Sequence, residues 1–509
     1  MSEDPRSDSY DVVVVGSGIG GISAAALLAQ AGRGVLCVDQ APGVGGYARS
    51  FRRDGYRFDP AIHWFGQGHP DALPMAYFEY LGVRDKVRFM QVEPGYKAIF
   101  PDGREVVAGT DLESFIAGHQ ELFPGESDAI RRFFELCRRL HKDAHELPPR
   151  LGLDKLDEAA QRFPALFKYL RSTVREVLDE HFEDERLKGV VSVMWPYMGS
   201  PPSRLSFVTF ATTLSVLLEG AFHCEGGFQA IPDALAEAFE REGGELLLGR
   251  RVERILVEDG RAAGIELEGG TRIRAGAVVS NADATATFDE MIGEEHVPAS
   301  FLKRLRRMKP SLSGAVIFAG TKLDLGTRGE HEVFLPRSYD QEEIYQELLT
   351  GRPGGMWGAI PTLTDPSLAP PGEHTLTISC MTPYDIGRPW ESEVDRFTQT
   401  ALDDFEVVFP GLQDSITMLE TATPETLHRY CLNRGAACYG WENIPTQTGG
   451  KRSPHVTPVE GLFLSGHWSQ PGSGSVRVLV SGLHTAQMVL VMTGGKPADF
   501  EHPDVPPFD

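Results

Sequence analysis

The stretch that decides the fold runs from Asp11 to Asp39, DVVVVGSGIGGISAAALLAQAGRGVLCVD. Asp11 to Val15 is an unbroken β-branched run, the pattern of a central parallel strand covered on both faces. The turn Gly16-Ser17-Gly18-Ile19-Gly20-Gly21 follows at once, then a small-residue helix predicted over residues 22–30, closing at Gly32. A second apolar strand, Val35 to Val38, ends on Asp39. This is a complete β-α-β unit, with glycines at 16, 18 and 21 and an acid 23 residues after the first of them. The first glycine allows the tight turn, the second lets backbone N–H groups approach a pyrophosphate, and the third lets the helix pack closely on the strand. Asp39 is placed to accept ribose hydroxyls. The unit reads as a dinucleotide site, and alone it does not choose between NAD and FAD.

The rest of the chain bounds what surrounds that unit. At roughly 150 residues per domain, 509 residues make three or four units or two larger interleaved ones. Hydrophobic residues are 41% and charged residues 24%, which excludes disordered, fibrous and collagenous classes. The 49 basic against 72 acidic residues leave a net charge of -23, a field that repels phosphate backbones, so no nucleic-acid partner is expected. Six cysteines are scattered without a C-x-x-C pair, which predicts neither a metal site nor a disulfide framework and fits a reducing cytoplasm. Met1 to Tyr10 is acidic and polar, with no room for a secretory leader before the first strand. Leu205 to Leu218 is uncharged but only 14 residues long, so it reads as a buried helix and not as a membrane span.

Glycine, 55 of 509 residues, concentrates in turns along the chain. Pro42 to Gly46 (PGVGG) follows Asp39, and Asp54-Gly55 lies between two short strands within Phe51 to Asp59. A second Asp-Gly turn, at Asp102-Gly103, makes a hairpin of Tyr96 to Val107. Asp111 to about Gly220 is helical in pattern, broken at Pro124-Gly125, Pro148-Pro149 and Pro201-Pro202. Ile231 to Arg241 is an amphipathic helix stopped by Gly243-Gly244. Strands are predicted at Glu245 to Leu248, Val252 to Val257, Gly264 to Leu267, Thr271 to Ile273 and Ala277 to Ser280, where the chain returns to the first sheet. From about 296 to 454 strands and short helices alternate, as in a separate domain. Gly461 to Ser465 is a late strand entering Gly466, followed by Pro471-Gly472-Ser473-Gly474 and a helical run from Val476, a second candidate site for a cofactor's polar atoms.

Taken in order, these motifs resemble the flavin-dependent phytoene desaturase, carotenoid isomerase and retinol saturase group within the amine-oxidase-like FAD superfamily. The resemblance rests on VVVVGSGIGGISAAALLAQAG with Asp39, PGVGG, Phe58 to Gly66 (FDPAIHWFG), Glu225 to Ala238 (EGGFQAIPDALAEA), VERI at Val252, VVSNAD at Val278, Gly435 to Trp441 (GAACYGW) and Gly461 to Gly474 (GLFLSGHWSQPGSG). It implies an α/β protein with a discontinuous Rossmann-like FAD-binding domain, residues 1–90, 222–295 and 455–509, and an inserted α+β substrate domain carrying a helical lid, residues 91–221 and 296–454. By position it implies that Gly16, Gly18, Gly20 and Gly21 hold the pyrophosphate of FAD, Asp39 and Gln40 the adenosine ribose, and the backbone of Val252 the adenine. Gly45, Gly46 and Arg49 would follow the diphosphate and ribityl chain, with Gly466, Ser473, Gly474 and Val476 beside the flavin. Two departures stand out. Ala61-Ile62-His63-Trp64 follows the FD pair where phytoene desaturases tend to carry Gly-Pro, a form closer to retinol saturase; and His467-Trp468 replaces the acid that the isomerase branch carries after its late glycine.

The implied activity is desaturation, saturation or cis-trans isomerisation of a lipophilic polyene or isoprenoid, by hydride transfer at flavin N5 with an acid or base nearby. His63, Glu225, His467 and Arg477 are the candidates for that proton role, because each lies in a motif placed near the ring. Trp64, Trp441 and Trp468 sit in three converging motifs and are expected to wall an apolar tunnel. Asp128 to Lys142 is a basic amphipathic segment, with Ile130, Phe133, Phe134 and Leu140 interleaved, suited either to peripheral membrane contact or to an ordinary solvated helix face. The alternatives are a flavin amine oxidase and, without catalysis, a prenyl-protein-binding module of the Rab GDP dissociation inhibitor type. Against the second stand the intact glycines and Asp39. The reading makes Asp39→Ala weaken FAD binding by about 1–3 kcal/mol, through loss of a charged acceptor; titration of apoprotein with FAD measures it, and unchanged affinity would move the cofactor elsewhere.

Overall fold

Val12 to Val15, almost wholly excluded from solvent, occupy the centre of a seven-stranded sheet. In the computed structural model, which describes residues 5–147 and 155–503, strand β1 (Ser9–Val15) leads into helix α1 (Ile19–Gln30) and strand β2 (Val35–Asp39). The predicted break at Pro148-Pro149 and the extreme ends of the chain lie outside the described residues. Glu245–Leu248 extends the sheet beyond β2, and Arg272–Ser280 pairs with β1 on its other side, all in parallel. Arg261–Leu267 and Val252–Glu258 then add as antiparallel strands, and Leu462–Leu464 joins Arg272–Ser280 in parallel. The sheet is thus assembled from three distant parts of the chain, an α/β, Rossmann-like and discontinuous fold.

One strand differs from expectation. Thr271 to Ser280, read from sequence as two short strands, is continuous over Arg272–Ser280, because its pairing with β1 runs from Ser9 opposite Arg274 to Val15 opposite Ser280. Gly276 carries it past β1, where a Cβ would meet the Asp11 carbonyl oxygen at 2.9 Å.

A second seven-stranded sheet has the order Ile416–Ala422, Ser313–Thr321, His374–Thr382, Met356–Ala359, Glu332–Leu335, Tyr96–Ile99 and Glu105–Ala108. All neighbours are antiparallel except Glu332–Leu335 with Tyr96–Ile99. A small sheet of Phe65–Gly66, Ala221–Cys224 and Phe89–Val92 straddles the boundaries expected near residues 90 and 222. Helices between 112 and 217 form a layer against the second sheet. Within it Ser127–Glu146 turns Ile130, Phe133, Phe134 and Leu140 fully inward. Its apolar side is therefore core and is not available to a bilayer, which corrects the membrane contact expected through that side. The apolar helix Ser475–Met492 is long enough to cross a membrane, but half of it is buried, and it packs on α1 so closely that a Cβ on Gly482 would stand 2.4 Å from the Gly20 carbonyl oxygen.

Histidine is unusually prominent in these interiors. His119, with its Nδ1 2.7 Å from the Phe115 carbonyl oxygen, is pushed down to about 4 by burial. It therefore stays neutral in the folded chain while an unfolded histidine, near 6.5, takes a proton. Its contribution is intact above about pH 6.5 and is withdrawn as pH falls toward its folded value. His119→Phe is expected to reduce the loss of stability between pH 7 and pH 5, measured by urea unfolding at both; an unaltered pH dependence would show that His119 takes up its proton alike in the folded and unfolded chain.

Candidate active site

Where β1 ends, Gly16 takes φ +96° and donates its N–H to the Val38 carbonyl at 2.7 Å, so the chain turns directly into α1. A Cβ at Gly21 would lie 1.9 Å from the Gly16 oxygen, which keeps the helix pressed on the turn. The PGVGG loop comes in beside it, with the Gly45 N–H donating to the Ser17 carbonyl at 2.9 Å. A Cβ on Gly46 would approach Gly18 Cα to 3.2 Å, and one on Gly20 would approach Gly466 Cα to 2.8 Å. The first turn of α1 carries no acid and no side-chain cap, so its positive end and free N–H groups are open to an anion.

This cradle forms one end of a cavity of about 700 Å³. Its wall includes Gly16, Gly18 and Gly20, then Asp39 and Gln40, then Gly45, Gly46 and Arg49. Val252 with Arg250 and Arg251 borders the same space, as do Gly466, Ser473 and Gly474. Gly21 stands behind the turn, and Val476 is outside the lining, although its neighbour Ser475 is part of it. The Asp39 carboxylate is engaged by its own fold: Oδ2 accepts from the Ser17 N–H and hydroxyl, each at 2.7 Å, and Oδ1 from the Ala41 N–H at 2.8 Å. It fixes the glycine turn as well as facing the cavity.

The four proton-transfer candidates separate. His63 and His467 line the cavity. His63 is buried and His467 part-buried; both are pushed down to about 3, chiefly by removal from water, and among the described residues neither Nε2 has a hydrogen-bond partner. Glu225 lies outside the lining: it follows the strand Ala221–Cys224, stands half exposed and pairs with Arg88 at 3.2 Å. Arg477 also lies outside it, part-buried, with Nη2 donating to the Thr212 hydroxyl at 2.6 Å. Neither is brought to the cavity wall.

The tryptophans are redistributed in the same way. Trp441 and Trp468 form a buried edge-to-face pair, 4.7 Å between centroids, with their indoles donating to Ser453 and Asn433. Trp64 packs against Tyr197 instead of facing the cavity. The tryptophan that lines it is Trp357, which sequence reasoning passed over.

Three further residues were also missed. Asn281 lies in the VVSNAD motif and stands close against Gly18, Gly20 and Gly466, so its side chain fills the seam between the first glycine turn and the late one. Arg452 is 1% exposed and among the described residues donates to neutral acceptors alone, the carbonyls of Tyr439, Trp441 and His467 and the Asn443 amide oxygen. Glu332 is wholly buried at the start of an otherwise apolar strand, and an acid next to Val-Phe-Leu was the signal available.

The residues present fit FAD. The cradle is one that any Cβ at Gly20 would close, its helix end is unopposed by acid, and the cavity continues past Gly466 with room for a ring system. A family model described as flavin containing amine oxidoreductase matches residues 19–490. The phytoene desaturase (neurosporene-forming) of Rhodobacter capsulatus is 29% identical over 496 residues, covering 94% of this chain and 93% of its own. Prolycopene isomerase 2 of an Oncidium hybrid cultivar is 28% identical over 520 residues, covering 96% and 85%. Among solved structures, cyclohexylamine oxidase from Brevibacterium oxydans shares the fold, with a TM-score of 0.61 at 16% identity over 94% of this chain and 99% of its own. FAD is the cofactor of this oxidoreductase, and the chain belongs to the flavin containing amine oxidoreductase family.

Proposed function

We propose that the protein acts on CH–CH bonds of a lipophilic polyene or isoprenoid, by desaturation, saturation or cis-trans isomerisation. The observation that carries this is the continuity of the cavity. From the glycine cradle it passes to the second sheet, where Val316, Phe318, Trp357 and Met381 give it an apolar wall suited to a long hydrocarbon. The resemblance to a phytoene desaturase and a prolycopene isomerase supports the same substrate class. In this reading residues 1–90, 222–295 and 455–509 hold the cofactor, and 91–221 and 296–454 shape the substrate space.

Bound FAD supplies the acceptor or donor of a hydride equivalent. The chain's residues do the rest. The apolar wall excludes water and aligns the polyene. Arg452 leaves an uncompensated positive charge behind His467, although burial brings the guanidinium down to about 9, and that charge favours negative charge developing nearby. His467 shapes the wall beside Gly466, and His63 holds a proton at the far side. The protein is further read as cytoplasmic, drawing substrate from a membrane surface; the free state of all six cysteines and the exposed Tyr430 at the cavity's border support this.

Amine oxidation is the second reading, favoured by the cyclohexylamine oxidase fold. Anaerobic absorption spectra separate the two. A polyene is expected to bleach the oxidised flavin bands, or to reoxidise or isomerise on prereduced protein. Bleaching by amines alone, with peroxide formed in air, would establish the amine oxidase.

A further inference from the structure

Behind the cavity wall lies a cluster of polar groups that the reading above does not use. Glu332 and His63 have side chains 1% and 3% exposed, with Oε1 3.7 Å from His63 Nδ1. Trp357, two positions along the neighbouring strand, donates its indole N–H to that same Nδ1 at 2.8 Å. The Tyr197 hydroxyl stands 3.2 Å from Nδ1 and also faces Glu332. His331 fixes the backbone, its Nε2 3.1 Å from the His63 carbonyl oxygen, while its Nδ1 is 2.8 Å from the Thr364 hydroxyl.

The indole nitrogen only donates, so Nδ1 must accept, and a neutral His63 carries its proton on Nε2. Among the described residues Nε2 has no hydrogen-bond partner, and neither oxygen of Glu332 has one of full geometry, the Tyr197 hydroxyl being the group that faces it. Burial holds both groups neutral: the carboxyl is pushed well above its usual range, the imidazole down to about 3. His331 and His223, on the other side of the His63 backbone, are held neutral by burial as well and add no charge. A neutral imidazole is too weak an acid to protonate carbon unaided, and a carboxylic acid behind its second nitrogen removes that obstacle.

We propose that Glu332 is a proton-supplying positioning residue acting through His63, so that the resting site is set to deliver a proton to the substrate carbon and not to abstract one. The step rests on the polyene reading above. The Nε2–H bond breaks as a C–H bond forms on the substrate; the Glu332 O–H bond breaks as an N–H bond forms at Nδ1. His63 ends as its other neutral tautomer and Glu332 as a carboxylate, toward which the Tyr197 hydroxyl turns its hydrogen while the Trp357 ring shifts off the newly protonated Nδ1. Bound, reduced FAD would supply the accompanying hydride equivalent. Saturation, or isomerisation begun by protonation, therefore takes precedence over desaturation.

The test uses the full-length FAD-loaded protein, reduced with dithionite and given prolycopene or all-trans-retinol in D2O. Wild type is expected to place a solvent deuteron in the product. Glu332→Gln should slow that transfer about 10²-fold with FAD content and KM unchanged, and Glu332→Asp should restore part of it. The infrared difference between wild type and Glu332→Gln should show the carbonyl band of a protonated, buried carboxyl. Transfer by Glu332→Gln at a rate close to wild type, or a carboxylate signature in the infrared difference, would overturn the proposal. If wild type turns over neither polyene, the polyene reading fails, and the infrared difference still decides the state of Glu332.

Discussion

Segments that are distant in the chain meet where the glycines leave room for one side chain, that of Asn281, and for no Cβ of their own. The start of α1, the loop through Gly46 and the turn at Gly466 approach so closely that a Cβ on Gly20 would lie 2.8 Å from Gly466 Cα and 2.9 Å from the Asn281 amide oxygen. Close packing of this kind tolerates no added methyl group without displacing backbone. The contact brings together β1, Arg272–Ser280 and Leu462–Leu464, and so closes the first sheet from its scattered pieces. It also leaves backbone N–H groups exposed at the helix end, which is what an anionic diphosphate requires. Fold and cofactor site are consequences of one steric constraint.

The cavity that opens from this junction is electrically unusual. His63 and His467 are kept neutral by burial, while Arg452, among carbonyl oxygens, keeps a positive charge that no carboxylate answers among the described residues. A fixed cation behind the late glycine turn would favour negative charge on a group bound beside it, and the apolar wall would keep water from the substrate. The same burial makes Glu332, the one buried acid of the second sheet, a proton holder and not an ion.

Much of the cofactor half was legible in the sequence. Gly16, Gly18 and Gly21 are dictated by local geometry, and a β-α-β unit writes its spacing directly into the chain. The role of Asp39 in tying down Ser17 was not legible, because a hydrogen bond across the turn leaves no trace in spacing. The proton-transfer residues were harder for a related reason. His63 and His467 reach the wall, whereas Glu225 sits one turn too far out, beside Arg88, and Arg477 faces Thr212. Motif membership places a residue near the site to within a few ångströms, and side-chain direction decides the rest. Trp357 and Glu332 come from adjacent antiparallel strands whose register only the folded sheet defines. The basic helix illustrates the limit of amphipathicity, since its apolar face suits a membrane or a core equally, and here it is core.

The central claim is that cofactor and hydrocarbon share one cavity. Titrating the FAD-loaded protein with an all-trans polyene while following flavin fluorescence tests it most directly. Quenching that saturates at equimolar polyene and FAD is the predicted result. Polyene binding that leaves the flavin emission unchanged would place the two in separate sites and contradict the account.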